Sequence, residues 1–118
     1  MRYETRTTPE GDVYKHPVPE GTDDLPVIPR DVKAKLLTLV EQLYAEGRLI
    51  RGTVVTNGSS YCVLGVASLL AGCSFSSNWS TLIHTNNSGP YGSGSGKPVT
   101  PSGFAELMLL LKECPEER

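Results

Sequence analysis

Cys62 and His84 are the two residues whose types could support covalent chemistry. A thiol becomes a nucleophile when its thiolate is stabilised, and a helix start offers amide N–H groups and a positive dipole end. Cys62 stands where a β-rich run ends and a helical run begins at Val63. His84 would be the base that withdraws the thiol proton. No Asn or Asp follows His84 at a separation that would orient its ring; Asn86 and Asn87 are only near neighbours. Buried, inert cysteines are among the most common core residues. The sequence therefore favours a structural Cys62 and a non-catalytic protein, with a cysteine hydrolase or transferase using Cys62 and His84 as the alternative.

Metal and phosphate chemistry fare less well. The three cysteines, Cys62, Cys73 and Cys114, are widely spaced, and neither His16 nor His84 stands at a zinc-ligand interval from any of them. No metal and no cofactor is expected. The run Gly92-Ser93-Gly94-Ser95-Gly96-Lys97 has the composition of a phosphate loop but not its pattern. Tyr91 stands where the first glycine is required, and Pro98 replaces the Ser/Thr that holds Mg²⁺.

A binding role has a better basis. From Gly52 to Gly96 there is no Asp, Glu, Lys or Arg, in a chain that is 20% charged overall. Within that stretch Ser76, Asn78, Trp79, Thr81, Asn86 and Tyr91 combine contact area with neutral hydrogen bonding, the chemistry of adaptable binding loops. They form the candidate binding surface, for a protein partner or a small polar ligand. The net charge of −2 supplies no field to gather phosphates, so nucleic acid is not an expected partner.

These residues need a scaffold, and 118 residues suffice for one small domain. Five of the nine prolines fall within residues 1–29, which reads as an extended arm. A helix is expected from Arg30 to Glu46, with Val32, Leu36, Leu39, Val40 and Leu43 on one face and Gly47 as its stop. Leu49 to Thr56, Asn57-Gly58 and Ser59 to Cys62 read as a β-hairpin. Residues 63–71 read as a short helix, and Trp79 to Ile83 as a third strand or turn. Residues 87–98 have the composition of a flexible Gly/Ser loop. Pro101 to Glu113 forms a last helix with Thr100 as N-cap. The fold class is α+β: a β-hairpin, or a three-stranded antiparallel sheet, packed on two or three helices across residues 30–114.

No apolar run reaches the roughly 18 residues of a membrane helix, and MRYETRTTPEGD lacks a signal-peptide core. A cytoplasmic location without membrane contact is expected. The small-residue ridge of Gly65, Ser68 and Gly72 would suit a homodimer.

The segment Tyr61-Cys62-Val63-Leu64-Gly65-Val66, following a short β piece and opening a helix, resembles a [Phe/Tyr]-Cys-x-Leu-Gly-Val segment of small bacteriophage and prophage proteins. The likeness runs from about Leu36 to Leu70. Members often continue Leu-x-Asp-Leu where this chain has Ala67-Ser68-Leu69-Leu70, and many carry a second cysteine where it has Tyr61. The resemblance implies a phage origin and no activity. It points to an accessory protein that binds and inhibits a host component, such as a defence system; a structural virion or assembly protein is the alternative.

Overall fold

The protein is described by a computed structural model over residues 1–52, 56–57, 59–71 and 77–117, with Thr56, Asn57, Ala71 and Ser77 described by backbone alone. Its class is α+β, as expected.

The proline-rich segment is not an extended arm. Strands β1 (Arg2–Thr7) and β2 (Val13–Val18) pair antiparallel from Arg2↔Val18 to Thr7↔Val13. Proline is tolerated because in a two-stranded ribbon half of the N–H groups point away from the partner strand. Pro17 takes such a position opposite Tyr3, and Pro9 lies in the turn. That turn closes through Thr8 N–H to Asp12 O at 2.7 Å, with Gly11 at φ +96°. A single 3-10 turn (Thr22–Asp24) then leads to β3 (Ile28–Pro29).

Helix α1 (Arg30–Ala45) follows its predicted span to within a residue. Leu36, Val40 and Leu43 are buried at helical spacing, and Gly47 at φ +72° turns the chain away. The Asn57 hairpin is present as two short strands, β4 (Thr56–Asn57) and β5 (Ser60–Tyr61). Gly58 and the expected strand residues 53–55 lie outside the described residues. Leu49 and Ile50 make only isolated bridges, to Tyr61 and Pro98. Helix α2 (Val63–Ala71) matches its expected span.

The expected third strand is instead helical. A 3-10 turn (Ser77–Trp79) runs into α3 (Ser80–Asn87). Its buried residues, Thr81, Leu82, Thr85 and Asn86, recur at helical spacing, and Thr85 Oγ1 donates to Thr81 O at 2.7 Å. Helix α4 (Pro101–Glu113) has the expected cap: Thr100 Oγ1 accepts the Gly103 N–H at 3.1 Å. Then β6 (Glu116–Glu117) pairs parallel with β3. The described residues thus hold four α-helices rather than two or three.

One core joins these elements. Leu36, Val40, Val63, Val66, Leu82, Leu107 and Leu111 pack at its centre with almost no exposure. α1 packs on α2, and α3 on α4. Tyr44 and Phe104 stack face to face, with centroids 3.8 Å apart, and bridge α1 to α4. β2 lies against α3, which seats the hairpin on the helical body.

Candidate functional site

Alternation along the hairpin turns Glu4, Arg6, Tyr14 and His16 to one face, towards α3 and α4. His16 is 1% exposed and bonded through both ring nitrogens. Thr85 Oγ1 already donates to Thr81 O, so at 3.3 Å it must accept from His16 Nε2. That leaves Nδ1 as the acceptor for the Tyr14 hydroxyl at 2.7 Å. The ring is therefore the neutral Nε2–H tautomer. Burial, reinforced by the nearby Arg6 guanidinium, pushes the His16 pKa down to about 4, against an opposing pull from Glu106.

Arg6 lies between two carboxylates. Its Nη1 donates to Glu106 Oε1 at 2.7 Å, and its Nε and Nη2 donate to Glu4 Oε2 at 3.2 and 3.0 Å. Glu106 Oε1 is also 3.9 Å from His16 Nε2. The first turn of α4 completes the enclosure. Ser88 Oγ lies 3.2 Å and Ser102 Oγ 3.5 Å from Thr100 Oγ1. A Cβ on Gly103 would come within 2.6 Å of Ser88 Oγ and 2.9 Å of Thr100 Oγ1, so any larger residue must displace these hydroxyls. Between these walls is a partly enclosed cavity of about 160 Å³. It is the described site at which histidine, tyrosine, arginine, carboxylate and hydroxyl groups converge. A groove of about 920 Å³ by Pro29, Arg30, Ala34 and Glu117 is larger, but its lining side chains all face solvent.

A second polar centre holds the hairpin turn. Arg51 is 2% exposed; its Nη1 and Nη2 donate to the two Glu10 carboxylate oxygens at 3.0 and 2.8 Å, and its Nε donates to Asn87 O at 2.8 Å. The Arg51 hydrogen bonds, offset in part by desolvation and aided by Lys97, hold the Glu10 carboxyl down at about 2. The Gly/Ser loop wraps this guanidinium: Arg51 N–H donates to Lys97 O, and Gly96 N–H donates to Arg51 O. Gly94, at φ +63°, lies so close to the guanidinium that a Cβ would overlap it. The segment expected to be a flexible loop is thus the wall of an arginine pocket.

Cys62 and His84 do not form a described catalytic pair. Cys62 is buried and caps α2: its Sγ accepts the Gly65 N–H at 3.4 Å, and its carbonyl accepts the Val66 N–H. His84 Nδ1 has no hydrogen-bond partner among the described residues. Burial lowers the His84 pKa, against a hydrogen bond to the Gly89 backbone that raises it. No cluster of metal-ligating side chains occurs among the described residues.

Most of the expected binding surface is interior. Trp79, at 7% exposure, belongs to the core. Thr81 is fully buried on α3. Asn86 is buried, donating to Ile50 O at 3.1 Å and accepting the Val63 N–H at 3.3 Å, so it ties α3 to the start of α2. Asn78 is half-buried and Tyr91 is 59% exposed; Ser76 lies outside the described residues. The uncharged stretch is uncharged because much of it is core. Arg6, Tyr14, Arg51 and Glu106 belong to no sequence motif, and His16 is considered in the sequence only as a metal ligand. Their one local signal is the alternation of Arg2, Glu4 and Arg6 opposite Tyr14 and His16.

Comparison finds no matching family model, no matching curated protein and no matching solved structure. Among the described residues no helix is long and apolar enough to cross a membrane.

Proposed function

We propose that this is a small phage-type accessory protein that acts in the host cytoplasm by binding a host protein and blocking it, without catalysis. The observation that carries this reading is the outer face of the hairpin. Tyr3 is 61% and Val13 71% exposed, on the same face as Thr5, Thr7 and Lys15. The inner face of the same hairpin is fixed to the body by Arg6–Glu106 and His16–Thr85, and its turn by Glu10–Arg51. Tyr3 and Val13 stand at the two ends of this face, with Thr5 and Lys15 between them, and exposed side chains on a rigid, preorganised ribbon lose little entropy on association. Exposed tyrosine is a common energetic anchor at protein interfaces. The phage and host assignments rest on the Tyr61–Val66 resemblance. The engagement of His16, the capping role of Cys62 and the burial of its thiol favour binding over chemistry.

The test is affinity capture from a bacterial host lysate with the wild-type chain, a Tyr3→Ser/Val13→Thr variant and Tyr91→Ala. The expected result is one near-stoichiometric host protein, lost with the double variant and kept with Tyr91→Ala. A partner that survives the double change, or none with folded protein, overturns the reading.

A further inference from the structure

Among the residues that line the cavity between the hairpin and α4 the charges match, one guanidinium (Arg6) against one carboxylate (Glu106), and this restricts what can enter it. A carboxylate or phosphate placed beside Arg6 would also meet Glu106, 2.7 Å from the guanidinium. An ammonium placed beside Glu106 would meet Arg6. A hydroxyl group suits both, because it can accept an Arg6 N–H while donating to the carboxylate. The remaining capacity of the walls is of the same mixed kind. Arg6 has five N–H groups, and its three described bonds leave two of them over. Glu106 Oε2 takes part in no hydrogen bond among the described residues, and Tyr14, having donated to His16, keeps its oxygen lone pairs. Ser102 Oγ makes only a 3.5 Å contact. The volume of about 160 Å³ matches roughly five waters at ~30 Å³ each, enough for the edge of a sugar ring.

We propose that this cavity binds a neutral vicinal diol, the hydroxyl edge of a sugar, between the Arg6–Glu106 pair and the Tyr14 and Ser102 hydroxyls. The site uses the inner face of the hairpin and stands independently of the protein-binding reading, which uses the outer face. The diol could belong to a free sugar or to the ribose of a nucleoside.

The experiment is titration of the isotope-labelled protein with D-glucose, D-ribose and adenosine, followed by amide NMR, with sodium acetate and methylammonium chloride as controls. The expected result is a saturable shift of the Tyr14, Ser102 and Gly103 signals with at least one diol and with neither ion. A stronger effect of adenosine than of D-glucose identifies the ribose source; the reverse order identifies a free sugar. Ser102→Leu, an exposed first-turn position, fills the cavity without touching the core and should abolish the shift in a protein whose other signals are unchanged. Glu106→Gln keeps the shape but alters the donor–acceptor match, and should weaken binding several-fold. The proposal is overturned if no diol produces a saturable shift, if an ion does so instead, or if the shift persists in Ser102→Leu.

Discussion

His16 is a neutral imidazole under acid stress. Its surroundings are Tyr14 on its own strand, Arg6 and Glu4 across the hairpin, Thr85 and His84 on α3, and Glu106 on α4. The folded-state pKa of about 4 lies below the ordinary 6.5, so between those values the unfolded chain binds more protons than the folded one. The stability this supplies is complete above pH 6.5 and is lost as pH falls towards 4. Glu10 continues the loss: its carboxyl titrates at about 2 instead of 4.5, so its contribution fades between those values. Urea unfolding at a series of pH values should show the midpoint falling from pH 6.5 downwards, with a shallower slope in His16→Gln. Two glycines separate backbone strain from crowding. Gly96, at φ +85°, has open space for a Cβ, so Gly96→Ala should cost about 1–2 kcal/mol from backbone conformation alone. Gly94→Ala adds a collision with the Arg51 guanidinium, and denaturant titration should show a larger loss. None of this was visible in the sequence, because Arg51 meets Glu10 and Asn87 only through the tertiary fold.

Elements whose buried side is apolar were readable, and those whose buried side is polar were not. α1 and α4 show stripes of Leu, Val and Phe at helical spacing, and both were placed to within a residue. α3 is Ser-Thr-Leu-Ile-His-Thr-Asn-Asn, and it buries Thr81, Thr85 and Asn86 beside a single leucine. A hydrogen-bonded stripe of that kind carries no hydropathy period, and its β-branched residues resemble a strand. The N-terminal hairpin hid for a related reason. Its buried side holds Arg6, Tyr14 and His16, and its prolines are tolerated only because the ribbon has two strands. The candidate site lies between that hairpin and the polar side of α4, where Ser102 and Glu106 carry no hydropathy period, so it was the part least accessible to pattern. The faces lead to an expectation for substitution. Leu82→Ala on α3 should cost about 2–5 kcal/mol, since Leu82 is fully buried in the core. Leu109→Ala on the exposed side of α4 should stay within about 0.5 kcal/mol. Thermal melts of the two variants check the assignment.

Across the whole molecule, closure depends on a few cross-links between distant segments. Lys33 on α1 donates to the carbonyls of Lys112 and Cys114 at 2.7 and 2.9 Å, and so satisfies the end of α4. Cys114 is sealed beneath, its thiol donating to Leu110 O and its pKa pushed up to about 11 by burial. Cys62 is equally enclosed. Iodoacetamide at neutral pH should therefore modify Cys62 and Cys114 only at the rate at which the domain opens. Peptide mass spectrometry with and without urea measures this. Rapid labelling of Cys62 in the native protein would revive the nucleophile reading.

The parallel pairing of β3 with β6 sets an order of events during synthesis. Ile28 N–H donates to Pro115 O at 2.9 Å, so the strand that leads into the first long helix has its partner in a segment made much later. At ordinary translation speeds the wait is roughly 4 to 18 s, far longer than a helix or hairpin needs to form. Until residues 112–117 have left the ribosome, α1 can form but the Lys112 and Cys114 carbonyls that receive Lys33 are out of its reach. The nascent chain stays open along that seam, and the domain locks only after Glu116 has emerged.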